Sequence, residues 1–437
     1  MSKRLFTVLI LVTLLSLLGC KPTLSSPSGV LMSQKERITA PESSGTDLYE
    51  LVSGNNDFVF DLYRTLSSTE GNLFFSPYSI SSALSMTYAG ARGETEKQMA
   101  DTLRYRLSQE SLHPAVNALD IQLNQRDDEE VNGFKLKIVN AIWGQKDYSF
   151  LQSYLDLLAE HYGAGLRITN FAEEPEQSRI TINDWVSQQT EDKINDLIPP
   201  GMINNATRLV LTNAIYFDAE WEHPFDNRKT YDGTFYLLNG ENVTVPMMTR
   251  KGGYGYVGNP FVVDKLKGTA AYTGGEEGYL AVELAYKGNE ISMLIIMPNP
   301  GRFNEIERIL DADMVNDIIS NIRGESMLLW LPKFGFESGI NLKDSLIELG
   351  MRDAFTGNAD FSGMTGKRDL IISDVIHQAF VSVDEQGTEA AAATAVVWEM
   401  VSGPPPSLTL NHPFVFIIRD IPTNTILFIG RVMNPAK

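Results

Sequence analysis

The segment from Glu385 to Val397, EQGTEAAAATAVV, limits the possible fold more than any other stretch of the chain. Its run of alanines favours a helix, whereas the threonine and valines that follow favour a strand. With a strand period of two, both charges of the extended segment, Glu389 and Glu399, fall on one face. The opposite face carries Thr388, Ala390, Ala392, Thr394, Val396 and Trp398. This pattern predicts a segment that can enter a sheet as a strand, and the alternative is an alanine-rich linker.

Composition places the chain among soluble globular proteins and excludes some partners. The chain has 437 residues, 43% of them hydrophobic and 21% charged, and its formal net charge is −19. This length supports one large or two ordinary domains. The acidic excess argues against a nucleic-acid partner and gives no support to a heparin-like cofactor. Cys20 is the only cysteine, so an intrachain disulfide is impossible.

The first twenty residues have the features of an export signal. Two basic residues precede an apolar run, Leu5–Leu18, which is shorter than the roughly 20 residues of a membrane helix. The stretch LLGC that ends at Cys20 resembles the lipobox of prokaryotic lipoproteins, whose cysteine is acylated and becomes the new N-terminus. We therefore expect a signal peptide at 1–19, a membrane anchor at Cys20 and an exported protein, in the cell envelope or extracellular. Plain secretion and an uncleaved anchor are the alternatives.

The patterns in the rest of the chain predict a tether followed by one domain. Residues 20–47 are rich in serine and proline and lack an apolar period, which predicts a tether. A helical stripe begins at Phe58, whereas LVLTNAIYF at 209–217 and ISMLIIMP at 291–298 have the pattern of buried strands. Helical patterns cluster in the first half and strand patterns in the second. The sequence therefore predicts a single α+β domain over 48–437.

The motifs that carry catalysis are absent or weak. The sequence lacks GxSxG, HExxH, CxxC and a P-loop. A GxGxxG match at Gly253–Gly258 has no strand pattern before it and no clear helix after it, so we interpret it as a glycine-rich aromatic loop. His377 alternates in phase with the apolar residues of a strand, which favours a core histidine over a general base. We expect no enzymatic activity, no cofactor and no metal.

Several segments resemble, in the right order, those of the serpins, the serine protease inhibitors. The segment at 385–397 resembles the hinge of the serpin reactive-centre loop, and NHPFVFIIRD at 411–420 resembles the stretch after that loop. Further similar stretches are NLFFSPYSISSALSMTYAGARGETEKQM (72–99), LTNAIYFDAEWEHPF (211–225), LPKFGFESGINLKDSLIELGM (331–351) and DAFTGNADFSGM (353–364). The resemblance runs from about residue 49 to the C-terminus. It implies an α+β serpin fold of three β-sheets and about nine helices, with an exposed loop above the central sheet.

The resemblance also implies a mechanism and a target. A protease attacks the loop and forms an acyl-enzyme, the cut loop inserts as a new central strand, and the protease is distorted before hydrolysis is complete. The spacing usual in the family places the reactive bond at Val401–Ser402, with Met400–Val401 as the next candidate. Valine suits the small apolar primary pocket of an elastase-like serine protease. We expect the inhibitor to be a monomer.

Further residues take roles from the same resemblance. The implied hinge comprises Glu385, Gly387, Thr388, Glu389, Ala390, Ala391, Ala392 and Ala393. Within it, glycine is expected to act as a pivot because it tolerates φ values that other residues do not. The implied shutter beneath the central sheet comprises Ser76, Ser79, Asn213 and His377. Trp221 resembles the tryptophan of the breach, where insertion begins, and Lys333 matches the ion-pair partner of Glu385. A solvated pair would contribute little to stability.

Two other functions remain open at this point. A non-inhibitory serpin, acting as a binding or chaperone module, would usually lack the small-residue hinge that this chain keeps. A lipid-anchored hydrolase or solute-binding lipoprotein would need a catalytic or binding constellation that the motifs do not supply. The sequence therefore favours an inhibitor, without identifying the protease.

Overall fold

The computed structural model describes residues 29–126, 134–258, 262–264, 269–271, 278–388 and 407–437. Within these ranges the chain forms ten α-helices and two short 3-10 helices, against the expected nine or so. The α-helices are α1 Gly45–Leu66, α2 Pro77–Tyr88, α3 Gly93–Thr102, α4 Gln109–Asn124, α5 Gln152–Tyr162, α6 Pro175–Gln189, α7 Phe303–Ile309, α8 Ala312–Asn321, α9 Lys343–Glu348 and α10 Ser362–Thr365. The 3-10 helices are Asn227–Lys229 and Asp353–Phe355. None of the described helices has both the length and the apolar character needed to cross a membrane.

Eighteen strands occur in the same ranges. They are β1 Val30–Leu31, β2 Leu73–Phe75, β3 Phe134–Gln145, β4 Leu166–Thr169, β5 Leu209–Glu220, β6 Tyr231–Tyr236, β7 Asn242–Val257, β8 Val262–Asp264, β9 Thr269–Ala271, β10 Tyr279–Ala285, β11 Ile291–Pro298, β12 Arg323–Pro332, β13 Phe334–Asn341, β14 Asp374–Val383, β15 Gly387–Thr388, β16 Ser407–Thr409, β17 Phe414–Asp420 and β18 Ile426–Val432. The strands predicted at 209–217 and 291–298 correspond to β5 and β11.

Three sheets are present in the described part of the chain, as the resemblance implies. The central sheet has seven strands in the order β1-β4-β3-β5-β15-β14-β13. A nine-stranded sheet follows the order β16-β12-β7-β10-β11-β17-β18-β2, with β6 paired to β7, and β8 pairs with β9. The α+β fold class is thereby confirmed.

Apolar residues cover both faces of the central sheet. Along β5, Leu211 and Ile215 belong to the main core, whereas Val210 and Ala214 belong to a second apolar cluster. That second cluster includes Ile182 of α6, so this helix covers the opposite face. Because side chains alternate along a strand, a strand buried on both sides has a nearly continuous apolar sequence. The apolar run of β5 is therefore a consequence of its central position.

Part of the predicted tether is packed on the domain. Val30 and Leu31 pair antiparallel with β4, at the edge of the central sheet. Arg37 continues the contact, since its Nε donates to Asn117 Oδ1 at 2.9 Å and its Nη2 to Asp120 Oδ2 at 2.5 Å. Contacts with the domain therefore begin before residue 47, within the segment predicted as a tether. Backbone pairing and polar contacts hold this segment, and neither produces an apolar period in the sequence.

The glycine-rich stretch at Gly253–Gly258 is not the loop that its composition predicts. Gly253 and Gly255 lie within β7, where they pair with Ser326 and Gly324 of β12. A Cβ atom on Gly255 would stand only 2.5 Å from Ile322 Cγ2, so the strand needs a glycine at this point. The stretch is a closely packed strand.

Candidate functional site

The central sheet is opened at one end by the first residues of the predicted loop. Strand β15 lies between β5 and β14: Thr388 faces Ala219 on one side and Val383 on the other. Farther along, β5 and β14 pair directly with each other, from Asp374 to Ala379 on β14. In the described sheet, the two residues of β15 therefore separate β5 from β14 at one end, and beyond them β5 and β14 pair directly.

Gly387 and Thr388, in the described part of the predicted hinge, lie within the sheet. Thr388 is already inserted and is 1% exposed. The rest of the hinge, Glu389 and the alanines Ala390, Ala391, Ala392 and Ala393, lies outside the described residues, as do Val401 and Ser402 of the implied reactive bond. The position of Thr388 agrees with the face pattern, which assigns its side chain to the buried side of an inserted strand.

Thr388 is held by a buried tyrosine that the sequence did not single out. The hydroxyl groups of Thr388 and Tyr286 are 2.7 Å apart. The ring of Tyr286 stacks on Trp221, with centroids 4.5 Å apart and planes 10° from parallel. Burial raises the pKa of Tyr286 far above its ordinary value, so the phenol stays neutral. Tyr286 therefore connects the inserted residue to the implied breach tryptophan.

Gly387 is required for a reason other than the one expected. Its φ angle is outside the left-handed region, so backbone freedom does not explain the glycine in this state. A Cβ atom at this position would stand 1.9 Å from the carbonyl oxygen of Ala219. The absence of a side chain lets the hinge approach β5 closely enough to pair with it.

Trp221 and its neighbours hold the turn that leads into the hinge. The indole Nε1–H donates to Asp384 O at 3.0 Å, and the backbone N–H of Trp221 donates to Gln386 O at 2.7 Å. The backbone N–H of Phe225 donates to Glu385 O at 2.7 Å. These bonds place the breach segment directly against the start of the loop.

Glu385 forms the ion pair that the resemblance implies, and its carboxylate is largely buried. Its Oε2 accepts a hydrogen bond from Lys333 Nζ at 2.7 Å, and its Oε1 accepts one from Thr230 Oγ1 at 2.6 Å. The Glu385 side chain is 9% exposed, so the pair is not the solvated one considered above. Burial disfavours the carboxylate, but the bonds from Lys333 and Thr230 outweigh it, and the pKa of Glu385 is lowered.

The four implied shutter residues are in contact with one another. His377 Nε2 accepts a hydrogen bond from the Ser76 backbone N–H at 3.2 Å, and His377 Nδ1 contacts Asn213 Oδ1. Because Nε2 accepts, Nδ1 carries the proton and donates it. Asn213 Nδ2 then donates to Ser79 Oγ at 2.6 Å. This buried network lies under the closed part of the central sheet.

Asn140 completes the network and was missed in the sequence. Its Oδ1 accepts from Ser79 Oγ at 3.1 Å and from Asn213 Nδ2. The register explains the contact, since Asn140 of β3 faces Asn213 of β5, which in turn faces His377 of β14. The signal was a polar residue within the long strand pattern of β3, but only the register shows what it faces.

His377 has no acid–base role in this setting. The ring is completely buried, and burial lowers its pKa from 6.5 to about 3. Both ring nitrogens are used in the shutter network. The histidine is therefore a neutral hydrogen-bonding residue of the core, as the strand pattern indicated.

The lowered pKa predicts that stability falls in acid. Between pH 6.5 and about 3 the unfolded imidazole binds a proton that the native His377 does not, so this histidine lowers stability as the pH falls. The slope is up to about 1.4 kcal/mol per pH unit. We expect the replacement His377→Gln to flatten the pH dependence of the urea-unfolding midpoint over this range. The exposed-site control, His223→Gln, should keep the wild-type slope, and equal slopes in all three proteins would contradict this account.

Comparisons with known proteins agree with this geometry. The profile of the serpin (serine protease inhibitor) family matches residues 53–435. A serpin-like protein of Thermococcus kodakarensis is 39% identical over 88% of this chain and 86% of its own length. The leukocyte elastase inhibitor of Sus scrofa is 37% identical over 88% of this chain and 100% of its own length.

Solved structures show the same fold. Uncleaved ovalbumin superposes with a TM-score of 0.77 at 26% identity, over 88% of this chain and 100% of ovalbumin. Human thyroxine-binding globulin, in complex with its hormone, superposes with a TM-score of 0.78 at 30% identity, over 89% and 99% of the two chains. Fold and site define the class: a mixed α+β domain whose central sheet receives the first residues of a C-terminal loop between β5 and β14. The chain belongs to the serpin (serine protease inhibitor) family.

Proposed function

We propose that this chain inhibits serine proteases irreversibly, by trapping the acyl-enzyme through insertion of its loop. The observation that carries the proposal is Thr388, which already lies between β5 and β14 at the open end of the central sheet. A strand that has begun to enter can continue only by separating the pairs between Asp374–Ala379 and Val210–Ile215. The polar shutter residues beneath those pairs can exchange hydrogen bonds as the strands separate.

The chemistry begins at the reactive bond, for which Val401–Ser402 is the first candidate. The serine oxygen of the protease attacks the Val401 carbonyl carbon, the peptide bond breaks, and Ser402 leaves with a proton as a new N-terminus. Val401 then stays attached to the protease as an ester. Insertion from Thr388 onward would carry that ester along the sheet and distort the protease before water can cleave it.

The proposed target is a protease with a small apolar primary pocket. A valine before the reactive bond fits such a pocket and lacks the charge that a trypsin-like pocket binds. Leukocyte elastase inhibitors from several mammals are among the similar proteins, at 37% identity. Both observations favour an elastase-like target. We propose that the inhibitor is a monomer and acts without a cofactor.

The similarity to thyroxine-binding globulin supports a second candidate, a binding module that does not trap proteases. Mixing the protein with elastase-like and trypsin-like proteases separates the two functions. We expect a covalent adduct that survives denaturant only with the elastase-like enzyme, together with a released peptide whose first residue is Ser402. Cleavage without an adduct in every mixture would favour the binding module.

We also propose that the protein is exported and attached to a membrane through Cys20, which lies outside the described residues. Support comes from the basic start, the apolar run and the lipobox-like LLGC. A lipid on this cysteine would hold the domain at the membrane through the remaining tether. Palmitate labelling of cells that produce the protein, with the variant Cys20→Ala as the control, tests the attachment, since only the wild type should carry label.

A further inference from the structure

Two buried histidines between α4 and α5 form a cluster that the proposed function does not use. His113 lies on α4 and is 2% exposed, and His161 lies on α5 and is partly buried. Their ring centroids are 6.3 Å apart, and the ring planes differ by 30°. Neither residue belongs to the hinge, the breach or the shutter.

A chain of hydrogen bonds determines where the proton of His113 lies. Ser85 Oγ donates to Ser82 O at 2.8 Å, so its oxygen accepts the hydrogen of the Tyr162 hydroxyl, 3.0 Å away. The Tyr162 oxygen, having used its own hydrogen, accepts from His113 Nδ1 at 2.7 Å. His113 is therefore protonated at Nδ1, and its Nε2 presents a bare lone pair.

That lone pair is buried without a partner, and so is one nitrogen of the neighbouring ring. In the described part of the chain, no hydrogen-bond partner reaches His113 Nε2 or His161 Nδ1. A buried acceptor left without a donor is costly, and such groups in native proteins usually have a water or ion as a partner. Two unpartnered ring nitrogens on adjacent histidines thus indicate a shared ligand.

The hydrogen-bonding state of His113 suits a metal ion. Because its hydrogen lies on Nδ1, its Nε2 lone pair is available to a ligand. A histidine that binds a metal usually donates its other ring N–H to a fixed acceptor, as His113 does to Tyr162.

The two rings lie close to the separation that a shared metal ion needs. Metal–nitrogen bonds of about 2.0–2.1 Å at a tetrahedral angle place two bound nitrogens about 3.3 Å apart and their ring centroids about 5 Å apart, so the rings would approach by about 1 Å from the observed 6.3 Å. His161 and Tyr162 also line a cavity of about 300 Å³, which gives room for water beside His161. The described residues contain no group of three or more His, Cys, Asp or Glu arranged for a metal, so water would have to complete the coordination.

We propose that His113 Nε2 and His161 Nδ1 bind one late first-row divalent metal ion, such as Zn²⁺ or Cu²⁺, with water in the remaining positions. Imidazole nitrogen suits both ions, and the order of affinities places Cu²⁺ above Zn²⁺. With only two protein ligands, the site binds more weakly than a structural zinc site with four. The bound ion would join α4 to α5 and stabilise the folded chain by an amount that grows with the logarithm of the ion concentration above its dissociation constant.

Zinc binding by the full-length protein tests this site directly. The metal-free chain is titrated with Zn²⁺ in competition with a chromophoric zinc indicator, in parallel with His161→Gln, His113→Gln and His223→Gln. His223 is exposed and far from the pair in sequence, so its variant controls for surface histidines. His161 is the less buried of the pair, so His161→Gln is the variant best suited to keep the fold intact. Electron paramagnetic resonance with Cu²⁺ then reports nitrogen ligands directly.

We expect one Zn²⁺ per chain in the wild type and in His223→Gln, and at least tenfold weaker binding in His161→Gln. The Cu²⁺ spectrum should show nitrogen coupling in the wild type that His161→Gln loses. Unchanged zinc affinity in His161→Gln would overturn the proposal, as would a wild type that binds no zinc. Protease inhibition is not part of this assay, so the result is independent of the proposed function.

Discussion

Cleavage of the chain between Trp398 and Pro406 should raise its melting temperature by roughly 10 °C or more. The described sheet admits only Gly387 and Thr388 between β5 and β14. If Thr388 to Trp398 enters after cleavage, the backbone gains roughly ten hydrogen bonds net of the β5–β14 pairs it replaces, each worth about 0.5–1.5 kcal/mol. With an unfolding entropy of about 2.1 cal/mol/K per residue, each kcal/mol shifts the melting temperature of a domain of this size by roughly 1 °C. The intact protein would therefore be a kinetically trapped state.

The measurement compares intact and nicked samples by differential scanning calorimetry. The nick is made with a protease that cuts the loop without forming an adduct, and its position is established by sequencing the new N-terminus. A nick outside the loop, in a chain with an engineered cleavage site at residues 127–133, serves as the control and should not raise the melting temperature. An intact and a loop-nicked sample that melt together would show that no strand is inserted, and the trapping mechanism would then fail.

The parts of the fold that were predictable from the sequence are those that depend on local patterns. The apolar runs of β5 and β11 mark them as central strands because both faces of such strands are covered. The phase of His377 with neighbouring apolar residues identified it as a core histidine. Such a pattern is visible in the sequence because it depends only on which residues along one strand are apolar, and not on which distant residues they contact.

Other features depend on contacts between distant segments, which a single sequence does not display. Val30 and Leu31 are held by pairing with β4, and any two residues with free backbone groups could make those bonds. Tyr286 faces Thr388 across more than a hundred positions of sequence. Asn140 joins the shutter because of the register between β3 and β5. Composition also misled at Gly253–Gly258, since glycine is common in loops, but Gly253 and Gly255 lie in β7 and Gly255 packs closely against Ile322.

The resemblance supplied roles that local patterns alone would not have assigned. Trp221 alone would be read as an ordinary core residue, and Lys333 as a surface charge. The structure brings both to the base of the loop, where Trp221 bonds to Asp384 and Lys333 to Glu385. The effect of Trp221 and Lys333 on the rate of loop insertion stays a prediction.

Replacing Thr388 with arginine should convert the inhibitor into a substrate. Thr388 is 1% exposed, lies between Ala219 and Val383, and contacts the hydroxyl of Tyr286 at 2.7 Å. An arginine side chain would be buried there without an anionic partner among these neighbours, at a cost of several kcal/mol. Because Thr388 already lies in the sheet of the intact chain, arginine would expel this first residue, and insertion would have to bury the charge before any further strand pairing forms. The protease then has time to hydrolyse the acyl-enzyme and leave.

The experiment measures the fraction of protease encounters that end in a denaturant-resistant adduct. We expect Thr388→Arg to lower that fraction at least tenfold while cleaved inhibitor accumulates. Thr388→Val is the matched control, since it has a similar volume and loses only the contact with Tyr286, worth about 1 kcal/mol. Thr388→Val should trap nearly the same fraction of protease as the wild type. Loop-nicked Thr388→Arg should also lack the rise in melting temperature, which links the two observations. If Thr388→Arg traps the protease as efficiently as the wild type, insertion does not begin at this residue, and its place in the sheet has another cause.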